Sequence, residues 1–393
     1  MRRGSYRIVI LVMVVGALPG YLGASLPVFG EALMRYYQIG MAEYGALLSV
    51  GGLSGFAGVL AAGALLARRG DPATLLTPLL WGLAAGMALA ALGWTYPVML
   101  AAVMVTSFFG SAMAVTVPAL LAASYPDNRR RILTLNLVAG SLVAAASPLL
   151  AEGLSGMSFG VALHAPFAVL AGLFALAAAL RPPASDPPHG GGVRQTGAWP
   201  GRPALALCGL IAIHGVCDSA LANWFPVVAR SAGVAGRGIA PGVVLSAVAM
   251  AYLVSRLLLG LAPEGKGARL GMVVPGLLGG GVMLLGLLSR DQLWLSVCYV
   301  CGAFLWSVEY PVLLAALSRE NPRGFGTAMT VAAAASSLGT LPALTLLGWF
   351  CGQAGPERLW LCLLPAAFGF MLVGLGGWLW LRTNTHKVVF HIS

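Results

Sequence analysis

Residues 204 to 230 read ALALCGLIAIHGVCDSALANWFPVVAR, a mostly apolar run that is long enough to cross a lipid bilayer as a helix. Two ionisable residues, His214 and Asp218, lie in the middle of this run. Because they are four residues apart, their side chains share one face of the helix. A carboxylate at the centre of a membrane helix costs about 3 kcal/mol on insertion scales, and such groups usually face a partner or a water-filled cavity. We therefore predict that this helix lines a polar pathway.

The rest of the chain has the composition of an integral membrane protein. Of 393 residues, 59% are hydrophobic and only 9% are charged, whereas soluble domains carry about 25% charged residues. The net charge of +11 is spread singly or in small groups at the ends of apolar segments. This distribution is typical of the positive-inside rule and argues against a nucleic-acid partner.

The apolar segments predict an all-α fold with twelve transmembrane helices, each about as long as a bilayer is thick. The predicted spans are Arg7–Val28, Tyr44–Leu66, Ala73–Trp94, Val98–Ala123, Ile132–Leu154, Phe159–Leu180, Ala204–Val228, Ala240–Ala262, Leu270–Leu288, Leu293–Leu317, Gly326–Phe350 and Arg358–Leu381.

Residues 181–203 form the longest polar stretch, RPPASDPPHGGGVRQTGAWPGRP, whose proline and glycine content indicates a flexible linker. The linker separates a predicted N-terminal six-helix bundle, 1–180, from a C-terminal six-helix bundle, 204–393. Most of the 23 basic residues fall on the side that holds both termini and this linker. We therefore predict a multi-pass protein of the plasma (cytoplasmic) membrane with both termini and the linker in the cytoplasm.

The two halves are internal repeats. Residues 118–128 read PALLAASYPDN and residues 311–321 read PVLLAALSREN, at an offset of 193 and at the same end of the fourth span of each half. Two tandem six-helix units with this relation are typical of transporters that bind their substrate near the bilayer midplane.

The whole chain resembles the major facilitator superfamily. After span two it reads Gly63-Ala-Leu-Leu-Ala67-Arg68-Arg69-Gly70-Asp71-Pro72, which is similar to that family's loop signature G-x-x-x-D-R/K-x-G-R/K-R/K. The resemblance implies a gating loop formed by Gly63, Arg68, Gly70 and Asp71. Ala67 stands where the family has an acidic residue, and Asp71-Pro72 stand where it has a basic pair.

A narrower resemblance is to the fucose:proton symporter-like branch. It rests on Asn223-Trp224-Phe225-Pro226 in span seven, Ser255-Arg256-Leu-Leu-Leu-Gly260 in span eight and Glu309-Tyr310-Pro311 in span ten. The sugar symporters of that branch resemble one another in a carboxylate buried in span one or four. Here neither span has an acidic residue in its middle.

Only two of the twelve acidic residues, Asp218 and Glu309, lie deep within predicted spans. A deep carboxylate that alternates between desolvation and a basic neighbour can load and release a proton. From their depths we predict an Arg256–Glu309 pair, and we predict His214 as the partner of Asp218. A static ion pair and a simple contact within one helix are the alternative interpretations.

Uncharged polar and aromatic residues of the spans are candidates for binding a solute by hydrogen bonds and ring stacking. Serine and threonine also hold membrane helices together, and tryptophan is common at the bilayer interface, so packing is the alternative role for each. The candidates are Asn136, Ser107, Ser111, Asn223, Trp224, Tyr252, Trp306, Ser336 and Thr340.

These observations predict a secondary active transporter that works by alternating access, with proton-coupled uptake of a small polar organic solute, sugar-like or zwitterionic. A proton-antiport exporter of a drug or metabolite is one alternative, and Gly140 to Pro148 in span five is faintly similar to the exporter signature. A non-transporting membrane sensor or assembly partner is another. We expect no catalytic residue, cofactor or metal, and a monomer whose partners are the solute, protons and the lipid bilayer. Cys298-Tyr-Val-Cys301 is interpreted as a pair of packing residues rather than a redox or metal site, and the six cysteines imply no disulfide framework.

Overall fold

A computed structural model describes residues 13–69, 72–124, 129–154, 156–180, 199–231, 238–261, 268–321 and 325–384. Throughout this part of the chain the backbone is helical apart from short connections, which confirms the all-α prediction. Contacts divide the chain into two compact units, Met1–Val193 and Arg194–Ser393. The division falls inside the stretch predicted as a linker, most of which lies outside the described residues, so the domain bounds of 1–180 and 204–393 stay a prediction.

The first unit contains seven described helices. In it α3 and α4 both pack against α5, α4 also packs against α7, and the short α1 packs against α6. The helices are α1 (Gly20–Ser25), α2 (Gly30–Tyr37), α3 (Met41–Arg69), α4 (Ala73–Ala91), α5 (Tyr96–Ser124), α6 (Arg129–Leu154) and α7 (Phe159–Ala179).

The second unit also contains seven described α-helices, with a 3-10 helix, Pro356–Leu363, before the last one. Here α8 packs against α12, α13 and α14, while α10 packs against α11 and α14. The helices are α8 (Arg202–Ala229), α9 (Pro241–Leu261), α10 (Ala268–Ser289), α11 (Gln292–Trp306), α12 (Glu309–Glu320), α13 (Phe325–Ala354) and α14 (Leu364–Asn384).

Ten helical stretches of the described residues are long and apolar enough to cross a membrane, and Val138–Leu154 is a shorter apolar one. Predicted span one begins outside the described residues, and its described part is interrupted by turns at Pro19 and Pro27. Proline causes such interruptions because it lacks the N–H that continues a helix. Predicted span ten is likewise divided into α11 and α12, and span twelve begins as the 3-10 helix.

Close helix packing in the second unit depends on glycines of α10. A Cβ atom at Gly279 would lie 2.9 Å from the carbonyl oxygen of Gly302 in α11, and one at Gly280 would lie 2.5 Å from that of Ala367 in α14. Only glycine permits backbones to approach this closely. The next glycine, Gly281, has no atom within 4 Å of an added Cβ and makes no such contact.

Candidate functional site

Polar side chains from four helices of the second unit meet in its interior. They are His214 and Asp218 on α8, Tyr252 and Arg256 on α9, Trp306 on α11 and Glu309 on α12, and we call this set the buried polar cluster. All six were singled out from the sequence.

Glu309 and His214 form the most deeply buried contact of the cluster. Nδ1 of His214 lies 3.0 Å from Oε2 of Glu309, and the two side chains are 3% and 0% exposed. The other carboxylate oxygen of Glu309, Oε1, is also buried and has no hydrogen-bond partner. Buried polar atoms are rarely left in this state, so Oε1 is an acceptor available to a proton, a water or a ligand.

A break in the backbone places the Glu309 carboxylate. Helix α11 ends at Trp306 and α12 begins at Glu309, with Ser307 and Val308 as a turn between them. Pro311 favours the break, because it has no N–H to donate to the carbonyl of residue 307 and its ring crowds that carbonyl. Glu309 therefore lies in the first turn of α12, where the positive end of the helix dipole stabilises a negative charge.

The walls around this contact are aromatic and tightly packed. The ring of Phe370 on α14 stacks on Trp306 at 4.2 Å and meets the His214 ring edge-on at 5.1 Å. On α10, a Cβ added to Gly276 would lie 2.2 Å from Oε1 of Glu309. A glycine at this position is therefore needed to make room for the carboxylate.

Asp218 lies at the end of a separate hydrogen-bond chain. The Tyr252 hydroxyl donates to Oδ1 of Asp218 at 2.5 Å and accepts from Nε1 of Trp306 at 2.6 Å. The chain joins α8, α9 and α11, and each of its members bonds to a residue of a different helix. Because the Tyr252 hydroxyl accepts a hydrogen bond from Trp306, it is more polarised and donates a stronger hydrogen bond to the Asp218 carboxylate.

The predicted pairings of these residues are wrong, although the residues do meet. Glu309 bonds to His214 rather than to Arg256, and Asp218 bonds to Tyr252 rather than to His214. His214 and Asp218 do share a face of α8, but neighbouring helices bring partners closer than one turn of the same helix does. The guanidinium of Arg256 instead lies 5.0 Å from the centre of the Tyr252 ring, and its buried Nε has no hydrogen-bond partner.

The other solute candidates of the second unit lie against their own or adjacent helices. Asn223 donates to the carbonyl of Ser219 at 2.7 Å, and Thr340 donates to that of Ser336 at 2.8 Å. Ser336 packs on Gly215, and Trp224 is completely buried. These positions are those of packing residues, and a role in solute binding stays a prediction.

In the first unit, Ser107 and Ser111 pack on Gly51 and Gly55 where α5 meets α3. Asn136 of α6 is half-buried. Of the predicted gating loop, Gly63 has open space beside it and Arg68 is exposed. Gly70 and Asp71 lie outside the described residues.

Sequence reasoning missed Gly276, Phe370 and one covalent link. No local pattern marks Gly276 or Phe370, because the role of Gly276 depends on how α10 packs on α12, and that of Phe370 on how α14 meets α8 and α11. Cys351 and Cys362 form a disulfide with 6.4 Å between their Cα atoms, which corrects the expectation that the six cysteines form no disulfide framework. Their positions at adjoining ends of two consecutive predicted spans were the available signal.

Solved structures with the same fold are membrane transporters. A bacterial homologue of the human lysosomal transporter Spinster, inward-facing and occupied, matches with a TM-score of 0.78 at 13% identity, covering 98% of this chain and 98% of that chain. The POT family transporter PepTSo matches with a TM-score of 0.74 at 11% identity, covering 97% and 99%. The inward-open xylose transporter XylE from E. coli matches with a TM-score of 0.72 at 14% identity, covering 95% of each chain.

At these identities the structural likeness establishes the fold, and it confirms the predicted fold class. No curated relative matches the sequence. The narrower resemblance to the fucose:proton symporter-like branch stays a prediction. The model of the Major Facilitator Superfamily matches residues 9–341, most of the chain. This protein therefore belongs to the Major Facilitator Superfamily.

Proposed function

We propose that this protein is a secondary active transporter that couples proton movement to the uptake of a small polar organic solute by alternating access. The observation that carries the proposal is the Glu309 carboxylate, which is 0% exposed, bonded to His214 through one oxygen and unpaired at the other. Ionisable groups at membrane depth usually belong to ion or proton pathways.

The charges of the buried polar cluster support a proton cycle. Asp218 and Glu309 bring two negative charges and Arg256 brings one positive charge. An unbalanced charge in a buried site costs several kcal/mol, so the closed cluster is most stable when the Glu309–His214 pair holds one additional proton. Entry of water lowers this cost and permits the proton to leave. Alternating closure and hydration would thus load and release one proton per cycle.

We assign solute binding to the part of the cluster formed by Tyr252, Trp306 and Arg256. Tyr252 offers an aromatic ring and a hydroxyl that is held in place by a hydrogen bond from the buried Trp306. The Nε donor of Arg256, which is unpaired, lies next to the Tyr252 ring. Aromatic faces with a few fixed polar groups suit a sugar-like or zwitterionic solute.

The test uses purified protein in proteoliposomes that contain a pH-sensitive dye. A library of monosaccharides, amino acids and nucleosides is first screened by thermal shift, and each hit is then added outside the liposomes. We expect solute-driven proton entry with the native chain and none above empty liposomes with Glu309→Gln, which retains the thermal shift. The matched control is Glu31→Gln, a carboxylate at 39% exposure that lies 4.0 Å from Arg35, and it should transport normally.

Solute-driven proton entry that persists in Glu309→Gln would contradict the assignment of the proton site. The predicted alternatives are separated by the same preparation. An exporter accumulates the solute in inverted vesicles and not in right-side-out vesicles, and an uncoupler abolishes this accumulation. A sensor or assembly partner moves neither solute nor protons in either orientation.

A further inference from the structure

The second unit holds a cavity of about 370 Å³ that is separate from the buried polar cluster. Its walls are α8, α13, the 3-10 helix and the start of α14. Val216, Cys217 and Ala220 line it from α8, and Cys362 and Ala366 line it from the opposite wall. Every lining residue is apolar or a cysteine.

The lining of the cavity favours an apolar occupant. A water in a cavity needs about two to four polar partners, which this lining does not offer. An empty space of this size would leave its lining atoms without dispersion contacts on one side. Its volume falls within the range of about 300–1,000 Å³ that holds small organic ligands.

The surroundings of the cavity identify that occupant. Leu346 and Phe350 of α13 line the cavity, and they are also 63% and 42% exposed. Trp349 and Leu338 on the same helix are exposed as well. On a membrane-spanning helix such an apolar surface is the contact surface for lipid chains. The cavity is continuous with this surface, and we infer that it binds one acyl chain of a bilayer phospholipid.

The lipid site and the polar cluster occupy different faces of α8. His214 and Asp218 are four residues apart and face the cluster, whereas Val216 and Ala220 are turned by about 120° or more from both of them at about 100° per residue. Cys217 lies between the two faces, about 60° from His214 and about 100° from Asp218. Helix α8 is therefore a wall common to both sites. A bound acyl chain packs against the back of the helix that carries Asp218, so this site is additional to the proposed proton and solute site.

The test is photolabelling in proteoliposomes made with a phosphatidylcholine that carries a diazirine near the end of one acyl chain. Peptide mass spectrometry then locates the labelled residues. We expect labels on Cys217 and Ala366, which are only 6% and 4% exposed and out of reach of surface lipid. Leu285 of α10, at 66% exposure, reports ordinary lipid contact in the same sample.

A second experiment repeats the labelling with a variant in which the cavity is filled. Ala343→Leu adds a side chain to the α13 wall, and it should lower labelling of Cys217 and Ala366 about fivefold or more because close-packed space admits one occupant at a time. Ala335→Leu, at an exposed position of the same helix, is the matched control and should change neither label. Ala220→Leu fills the space from the α8 wall if the first variant does not fold.

Two results would overturn the inference. One is labelling of Leu285 without labelling of Cys217 and Ala366 in the native chain. The other is labelling of those two residues that is unchanged in a folded cavity-filling variant, with folding judged from the thermal unfolding temperature. Both readouts are independent of solute transport, so they stand or fall separately from the proposed function.

Discussion

The proline that begins the repeated stretch, Pro118 in the first unit and Pro311 in the second, has a different effect on the helix in each unit. Pro118 lies inside α5, which continues unbroken from Tyr96 to Ser124, whereas the helix that carries Pro311 is interrupted just before Glu309. Two residues before each proline stands a buried side chain, Thr116 in the first unit and Glu309 in the second.

The two side chains satisfy their polar atoms in different ways. The hydroxyl of Thr116 donates to the carbonyl of Ala112 at 2.8 Å, within its own helix. An ionised carboxylate can only accept, and the N–H groups of a continuous helix are already used. Glu309 therefore depends on other elements, namely the His214 ring and the free start of α12. Corresponding positions of the internal repeat thus hold a packing contact in the first unit and an ionisable side chain in the second.

The largest effect is expected when a carboxylate is placed at position 116, which corresponds to Glu309 in the first unit. Thr116→Glu would bury a charge beside the Ala112 carbonyl, an acceptor that cannot bond to a carboxylate, and we expect a loss of about 3–5 kcal/mol of stability. The yield of folded protein and its thermal unfolding temperature measure the effect. Thr116→Val, which removes only the hydroxyl, should stay within about 1 kcal/mol. Native-like yield and stability of Thr116→Glu would show that the two positions are equivalent.

A smaller effect should follow from closing the space that Glu309 occupies. In Gly276→Ala the new methyl group would meet Oε1 of Glu309 at 2.2 Å and the carbonyl oxygen of Phe370 at 2.6 Å. Such overpacking costs about 1–3 kcal/mol, which a lower unfolding temperature reveals. Gly281→Ala on the same helix adds its methyl group to open space and should be neutral or slightly stabilising. Equal stability of the two variants would mean that the carboxylate does not lie against α10.

The smallest expected effect concerns the hydrogen bonds that cross between helices in the second unit. Tyr252→Phe removes the donor to Asp218 and the acceptor of Trp306, and we expect a loss of about 1–2 kcal/mol. Tyr299→Phe is the matched control, because the buried hydroxyl of Tyr299 has no hydrogen-bond partner. That control should unfold at or above the native temperature. A Tyr252→Phe variant as stable as Tyr299→Phe would remove the distinction between the two hydroxyls.

The sequence by itself determined the membrane-spanning helices and the depth of the charged residues. Apolar length is a local property, so the stretch around His214 and Asp218 identifies a membrane helix without knowledge of its neighbours. The same holds for Arg256 and Glu309, whereas Tyr252 and Trp306 were found as polar or aromatic residues within predicted spans.

Only the tertiary structure decided the partners of these residues. Whether His214 reaches Glu309 or Asp218 depends on how α8 and α12 cross, and the periodicity of a single helix carries no information on that crossing. The repeated proline is equally visible at positions 118 and 311, yet only the second accompanies a break. That outcome depends on whether the surrounding helices supply a cavity and a partner for the side chain that precedes it.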